Sequence, residues 1–117
     1  MPMRAGTLIA ENLNLRGGGI DVEASFELGQ VVATPGCLDV LKGAGQQPSE
    51  FLHRHGRGDW GDLDEEDRSL NDEALIDGGR ILSAYTTRTG ERIWIITEAV
   101  GEDGRRASSC CLLPEEH

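Results

Sequence analysis

The chain has 117 residues, of which 38% are apolar and 4% aromatic, so it can fill one modest core and excludes a second full domain. Acids outnumber bases 21 to 11, and a formal net charge of −10 repels phosphate backbones, which argues against direct nucleic-acid binding through a basic face. No run approaches the roughly 20 apolar residues of a membrane helix, and the N-terminus leads into no long apolar segment. We therefore expect a cytoplasmic chain that binds no membrane.

The cysteine content fits a reducing compartment. Cys37, Cys110 and Cys111 are odd in number, and the last two are adjacent, a spacing that strongly disfavours a mutual disulfide. The chain has no C-x-x-C pair of the kind that holds zinc. We expect the three thiols to act as small hydrophobic side chains, and we expect neither a metal nor a cofactor.

Residues 1–24 differ in composition from the rest of the chain. A short apolar run at 7–10 precedes the glycines at 17–19, and apolar and acidic residues alternate over 20–24. This pattern fits an extra hairpin around the glycines, and it fits equally a loosely attached N-terminal extension. We assign residues 25–117 to a single domain.

The next segment predicts a strand followed by two short helices. Residues 26–33 are rich in β-branched side chains, as strands are. Thr34 and Pro35 then form a helix start, since a hydroxyl can cap the first amides and proline suits the first turn. The segment from Gly43 to Gly45 ends that helix, and a second short helix begins near Pro48.

A longer helix is predicted over residues 63–77. Asp62 with Glu65 three positions later resembles a capping box, and acids in the first turn favour the positive end of the helix dipole. Four apolar residues share one face, so we expect that face to pack against the rest of the domain. They are Leu63, Leu70, Ala74 and Leu75.

The C-terminal part predicts three antiparallel strands over residues 80–86, 92–99 and 107–113, joined by short turns. The middle strand is apolar on both alternating faces at 93–96 and is therefore expected to be central. The order of elements predicts an α+β domain. Its small antiparallel sheet combines the C-terminal three-stranded meander with an N-terminal strand, and two or three helices pack on one face.

Residues 51–62 are predicted to include a glycine-hinged loop between helices. They contain several groups capable of acid–base or metal chemistry: two imidazoles, two guanidiniums, an indole and two carboxylates. An enzymatic interpretation makes His55 a general base oriented by Asp59 or Asp67, with Arg54 or Arg80 receiving developing negative charge. The corresponding hypothesis is a small hydrolase or nuclease centred on His55, Asp59 and Arg54.

Two other interpretations of the same loop stand beside the enzymatic one. A metal site would use His53, His55 and Asp59, whose imidazole and carboxylate groups can share a divalent ion. A structural interpretation packs His55 and Trp60 against the sheet and uses Asp59 to cap the turn before the third helix.

Charge is unevenly distributed along the chain. Between Asp59 and Asp77 there are nine acids against the single base Arg68, a net charge of −8 out of the total of −10. Such a surface either solubilises the protein or docks on a basic protein surface, including one built to bind nucleic acid. The predicted binding surface contains six carboxylates, and the indole of Trp60 is its central anchor on condition that this side chain is exposed. The carboxylates are Asp59, Asp62, Asp64, Glu65, Glu66 and Asp67.

From Leu28 to Glu116 the chain resembles a group of small uncharacterised proteins often encoded on plasmids and integrated mobile elements of proteobacteria. The matching segments are LGQVVATPG at 28–36, RH at 54–55 followed by GDWG at 58–61, IWIITE at 93–98 and LLPEE at 112–116. The first 24 residues have no counterpart in the usual members, and the stretch at 100–104 differs from their short polar turn. The resemblance implies a bacterial mobile-element context, in which small acidic proteins can inhibit restriction or CRISPR machinery.

Three hypotheses follow from the sequence. The leading one is a small acidic protein-binding module of a mobile element, an inhibitor of host defence machinery that docks through residues 59–77. The second is the hydrolase or nuclease described above. The third is a homo-oligomeric accessory protein whose exposed strand edge pairs with itself.

Overall fold

Five strands form one mixed sheet in the computed structural model, which describes Leu8–Ile9 and residues 25–117. The strands are β1 (Leu8–Ile9), β2 (Gln30–Ala33), β3 (Ile81–Thr86), β4 (Arg92–Thr97) and β5 (Ser108–Leu112). They lie in the order β1-β2-β5-β4-β3, with β4 inside the sheet as expected. Three helices accompany them, and the predicted α+β class is confirmed.

The sheet departs from the expected antiparallel arrangement at one strand pair. The meander of β3, β4 and β5 is antiparallel as predicted, whereas β2 runs parallel to β5, with Val31 opposite Ser109. A helical connection between β2 and β3 returns the chain to the end of the sheet where β2 began, as in other crossover connections. The strand β3, and with it β5, therefore runs in the same direction as β2.

The helices are α1 (Pro35–Ala44), α2 (Pro48–Gly56) and α3 (Glu65–Asp77), with a short 3-10 helix at Pro114–Glu116. The predicted start of α1 is confirmed, because the Thr34 hydroxyl accepts a hydrogen bond from the Cys37 amide at 3.1 Å. The helix α3 begins later than predicted, since its N-cap is Asp64 and not Asp62. None of the helices among the described residues is long and apolar enough to cross a membrane.

The main core lies between one face of the sheet and the helices α1 and α2. Cys37 and Cys111 are both fully buried there, while the adjacent Cys110 points to the opposite face, because side chains alternate along a strand. Burial raises the pKa of Cys37 to about 12, so this thiol stays protonated and unreactive. The buried members of this core are Val31, Ala33, Cys37, Leu41, Phe51, Leu52, Tyr85, Ile93, Ile95 and Cys111.

The predicted hairpin or extension in residues 1–24 lies outside the described residues apart from Leu8–Ile9. The backbone of this pair forms the edge strand β1, antiparallel to β2 with Leu8 opposite Ala33. The glycine run and the alternating segment that motivated the prediction are not among the described positions.

Candidate protein-binding surface

His55 lies in the last turn of α2 and not in the loop where it was expected. Its imidazole is fully buried, and both ring nitrogens are hydrogen-bonded. Nδ1 lies 2.5 Å from Ser83 Oγ, and Nε2 lies 2.8 Å from Thr97 Oγ1. The chain of hydrogen bonds continues from Thr97 Oγ1 to Ser109 Oγ at 2.6 Å, and Ser109 Oγ donates to the Leu28 carbonyl at 2.7 Å. It therefore links α2 to three strands and to the residues before β2.

The Leu28 carbonyl, at the end of this chain of hydrogen bonds, fixes the direction of every hydrogen bond in the chain. A carbonyl only accepts, so the Ser109 hydroxyl donates to it and must accept from Thr97. The Thr97 hydroxyl has one proton, which it donates to Ser109, so it can only accept from the imidazole. His55 Nε2–H therefore donates to Thr97, and Nδ1 accepts from Ser83. The imidazole is neutral in this arrangement, and burial lowers its pKa to about 3.

Asp59 and Arg54 lie at the surface and bind each other. Arg54 Nε donates to Asp59 Oδ2 at 2.7 Å, and both side chains are about half exposed. The hydrogen bond from Arg54 holds the pKa of Asp59 below its ordinary value. Asp59 Oδ1 also accepts from the Gly61 amide at 3.1 Å, so this carboxylate caps the turn before α3.

The three residues of the enzymatic interpretation are thus not brought together. His55 is in the core and bonded to hydroxyls, whereas Asp59 and Arg54 line a shallow surface depression of about 280 Å³ that His55 does not reach. A general base must reach the proton it abstracts, and this imidazole reaches only Ser83 and Thr97. Within the described part of the chain, no group of three or more potential metal ligands is found either.

The indole of Trp60 is only 5% exposed, so its interpretation as an exposed binding anchor is wrong. Its ring packs against Phe26 and against His55, and its Nε1 donates to Asp72 Oδ1 at 3.2 Å. It belongs to a second apolar cluster with Ala74, beneath α3. A large aromatic ring that ends in one donor is well suited to this place, because it fills the cluster while its N–H reaches a surface carboxylate.

The outer edge of β3 is covered along its middle by the segment that precedes α3 and by α3 itself. The Ala84 amide donates to the Trp60 carbonyl at 3.2 Å, and the Asp62 amide donates to the Ala84 carbonyl at 2.7 Å. The Asn71 side chain bonds both the N–H and the C=O of Leu82. Self-pairing through this part of the edge has no free backbone groups to use.

Asn71→Ala is expected to lower the free energy of unfolding by about 2 kcal/mol, because Leu82 loses both of its side-chain partners at the covered edge. Urea denaturation measures this loss. Ser69→Ala on the exposed side of the same helix is the control and should change stability by less than about 0.5 kcal/mol. Equal stability of Asn71→Ala and the wild type would contradict the role given to this amide.

The helix α3 is fixed along one narrow side and at both ends. Only Asn71 and Ala74 of this helix are buried. Near its start, the Arg68 guanidinium donates to the carbonyls of Gly61 and Leu63, both at 3.0 Å. At its C-terminal end the buried Arg106 donates to the Ala74 carbonyl at 3.1 Å, where a cation also favours the negative end of the helix dipole.

The nine acids between Asp59 and Asp77 fall into two groups. Five accept hydrogen bonds that hold the local structure, at distances from 2.7 to 3.2 Å. They are Asp59, Asp62, Asp64, Asp72 and Asp77. The other four are exposed, and their side chains make no hydrogen bond or ion pair with another described residue. They are Glu65, Glu66, Asp67 and Glu73.

The apolar face predicted for α3 is mostly not buried. Leu70 is 56% exposed and Leu75 36% exposed, while Ile76, at 89%, lies almost wholly in solvent. The helix sits at the edge of the sheet and touches β3 through Asn71 and Ala74, so a narrow line of contact replaces the broad face that was expected. Sequence reasoning therefore missed Leu70 and Ile76 as surface residues, and it left Glu73 out of the predicted binding surface.

No protein-family model, curated protein or solved structure gives a significant match to this chain. The surface of α3 is consequently the basis on which a function can be argued. It presents free carboxylates and exposed apolar side chains on a helix whose ends and inner side are fixed.

Proposed function

We propose that this chain is a small protein-binding module that docks through α3 on a basic surface of its partner. The observation that supports this is the separation of charge: four exposed carboxylates on one helix have no partner among the described residues, and the only base of that helix bonds to carbonyls. A surface that serves solubility alone usually mixes the two signs of charge. A single-sign surface steers an oppositely charged partner and accelerates association.

The binding is stoichiometric and uses a preformed surface. The N-cap Asp64, the Asn71 amide and the Arg106 guanidinium hold α3 before any partner arrives, so little ordering is needed on binding.

The resemblance over residues 28–116 supports a proposal about the biological setting of this module. The module belongs to a bacterial mobile element and acts in the cytoplasm as an inhibitor of restriction or CRISPR machinery, where it occupies a basic surface that otherwise binds nucleic acid.

The test neutralises only the free carboxylates. Glu65→Gln, Glu66→Gln and Glu73→Gln are combined in one variant, and the capping Asp64 is kept because its removal would damage the helix start. The control variant combines Asp39→Asn, Glu102→Gln and Glu115→Gln, which changes the net charge equally at exposed sites outside α3. Partners are captured from native bacterial lysate, and affinity for the isolated partner is then measured at low and at high salt.

We expect the α3 variant to bind its partner roughly tenfold more weakly at low salt, since each exposed ion pair contributes up to about 1 kcal/mol. The control variant should stay within about twofold of the wild type, and raising the salt should weaken wild-type binding sharply. Thermal unfolding is followed in parallel, because Glu65 and Glu66 also favour the helix dipole. Binding that is unchanged by the α3 variant, or by salt, would rule out this docking mode.

A further inference from the structure

One side of α3 presents acidic and apolar side chains in alternation. We call it the outer stripe; it consists of Glu66, Leu70, Glu73 and Ile76, at spacings of four, three and three residues. Residues at these spacings are neighbours on a helix surface. The stripe points away from Asn71, which faces the sheet edge, and its two apolar members are 56% and 89% exposed.

Exposed apolar side chains are concentrated on this helix. Of the four large hydrophobic residues with strong exposure in the described ranges, Leu70, Leu75 and Ile76 belong to α3. The fourth is Val100, which lies beside Gly78, the residue that directly follows the helix. Single exposed apolar residues are ordinary, but several on one acidic helix are typical of an interaction surface.

We infer that the segment recognised by α3 is a cationic amphipathic helix, whose apolar side chains cover Leu70 and Ile76 and whose lysines and arginines pair with Glu66 and Glu73. This inference rests on the proposed function and specifies the partner's chemistry. Side chains at three- and four-residue spacings on two helices interdigitate in ordinary helix packing. Basic groups that flank an apolar seam would then meet the carboxylates of the stripe.

Other occupants fit the stripe less well. A uniformly polar basic surface would satisfy the carboxylates and leave Leu70 and Ile76 in water. A second copy of this chain would bring a net charge of −10 against a net charge of −10, and would place carboxylate against carboxylate if α3 met α3. The cationic amphipathic helix is complementary in both charge and polarity.

The inference predicts two separable contributions to binding, and synthetic peptides measure them. One labelled peptide of lysine and leucine, roughly four helical turns long, has its leucines at i, i+3, i+4 and i+7. A second peptide has the same composition in an order that spreads the leucines around the helix. Fluorescence anisotropy gives the affinity of each peptide for the full chain near physiological salt.

We expect the amphipathic peptide to bind about tenfold more tightly than the permuted one. Leu70→Gln with Ile76→Gln should remove that difference and leave binding of the permuted peptide unchanged. Leu75→Gln is the matched control, because this residue is exposed on another side of the same helix. All of these positions are at least one third exposed, so the variants should fold as the wild type does.

The outcomes separate this inference from the function on which it rests. Equal affinity for both peptides, with both weakened by the Glu65, Glu66 and Glu73 substitutions, would overturn the amphipathic partner and leave acidic docking in place. An affinity difference that survives Leu70→Gln with Ile76→Gln would overturn the role of the outer stripe. If neither peptide binds the wild-type chain, the amphipathic-helix partner is overturned, while the proposed function is decided by the partner capture and salt dependence of the α3 variant.

Discussion

Gly61→Ala is expected to lower the free energy of unfolding by at least about 3 kcal/mol and the melting temperature by more than about 10 °C. The φ angle of Gly61 is 76°, a region that costs an L-residue energy even in open space. A Cβ added there would lie 1.9 Å from the Ala84 carbonyl oxygen, which is part of the sheet and cannot withdraw. Urea and thermal denaturation measure the loss.

Gly104→Ala is the matched control for this prediction. Its φ of 80° is nearly the same, but a Cβ at Gly104 would meet no atom within 4 Å. This variant should therefore lose only the backbone contribution, about 1 kcal/mol. Equal effects at Gly61 and Gly104 would show that the close approach to β3 costs nothing, and would contradict the packing described for the start of α3.

Stability is expected to fall as the pH is lowered from about 6.5, with His55 contributing a slope that approaches about 1.4 kcal/mol per pH unit. In the unfolded chain this imidazole takes up a proton near the ordinary histidine pKa of 6.5, whereas in the folded protein its pKa is about 3. Between these values the unfolded state binds the extra proton, so acid favours unfolding. Above pH 6.5 the imidazole is neutral in both states and its titration contributes nothing.

Urea denaturation at pH values from 7 down to 4 measures this slope, and His55→Gln identifies its source. The many carboxylates also titrate toward the acidic end, so the informative quantity is the difference between the two chains. The wild type should lose stability with falling pH faster than the variant does. Parallel pH dependences would contradict the assignment, as would an NMR signal showing that the His55 ring is protonated in the folded protein at pH 5.

The variant His55→Gln is destabilised for a separate reason, since glutamine cannot bridge the Ser83 and Thr97 hydroxyls as the ring does. NMR of the wild type keeps the prediction testable if this variant does not fold. The ring should remain neutral at every pH above about 4, because burial lowers its pKa to about 3. Its proton should lie on Nε2, because Thr97 donates to Ser109 and can only accept from the ring.

The candidate site was only partly predictable from the sequence. The acidic segment and its bounds are visible in the composition, and so is its net charge of −8. Which carboxylates are free was not visible, because Asp62 bonds to Thr86 and Asp72 to Trp60, residues that folding brings close. The exposure of Leu70 was misjudged for a related reason. An apolar stripe looks the same in sequence whether its own sheet or another molecule covers it.

The segment around His55 shows the same limit of sequence-based prediction. By composition, a histidine near carboxylates and arginines is compatible with packing, with catalysis and with metal binding. The choice was made by Ser83 and Thr97, whose hydroxyls lie at the two ring nitrogens, and by Ser109, which accepts from the Thr97 hydroxyl. These three residues come from three different strands. None of these hydroxyls is marked in the sequence as a histidine partner.

What the sequence by itself determined is local. Thr34 and Pro35 begin α1, Pro48 begins α2, and the strands of the meander follow from their own side-chain patterns, because these signals act over a few residues of backbone. The tertiary structure alone decided that β2 pairs parallel with β5, that His55 and Trp60 are buried, and that Ile76 lies in solvent. Each of these features depends on which element packs against which, and the packing partners are distant in the sequence. Local sequence signals therefore cannot determine whether a given side chain is buried.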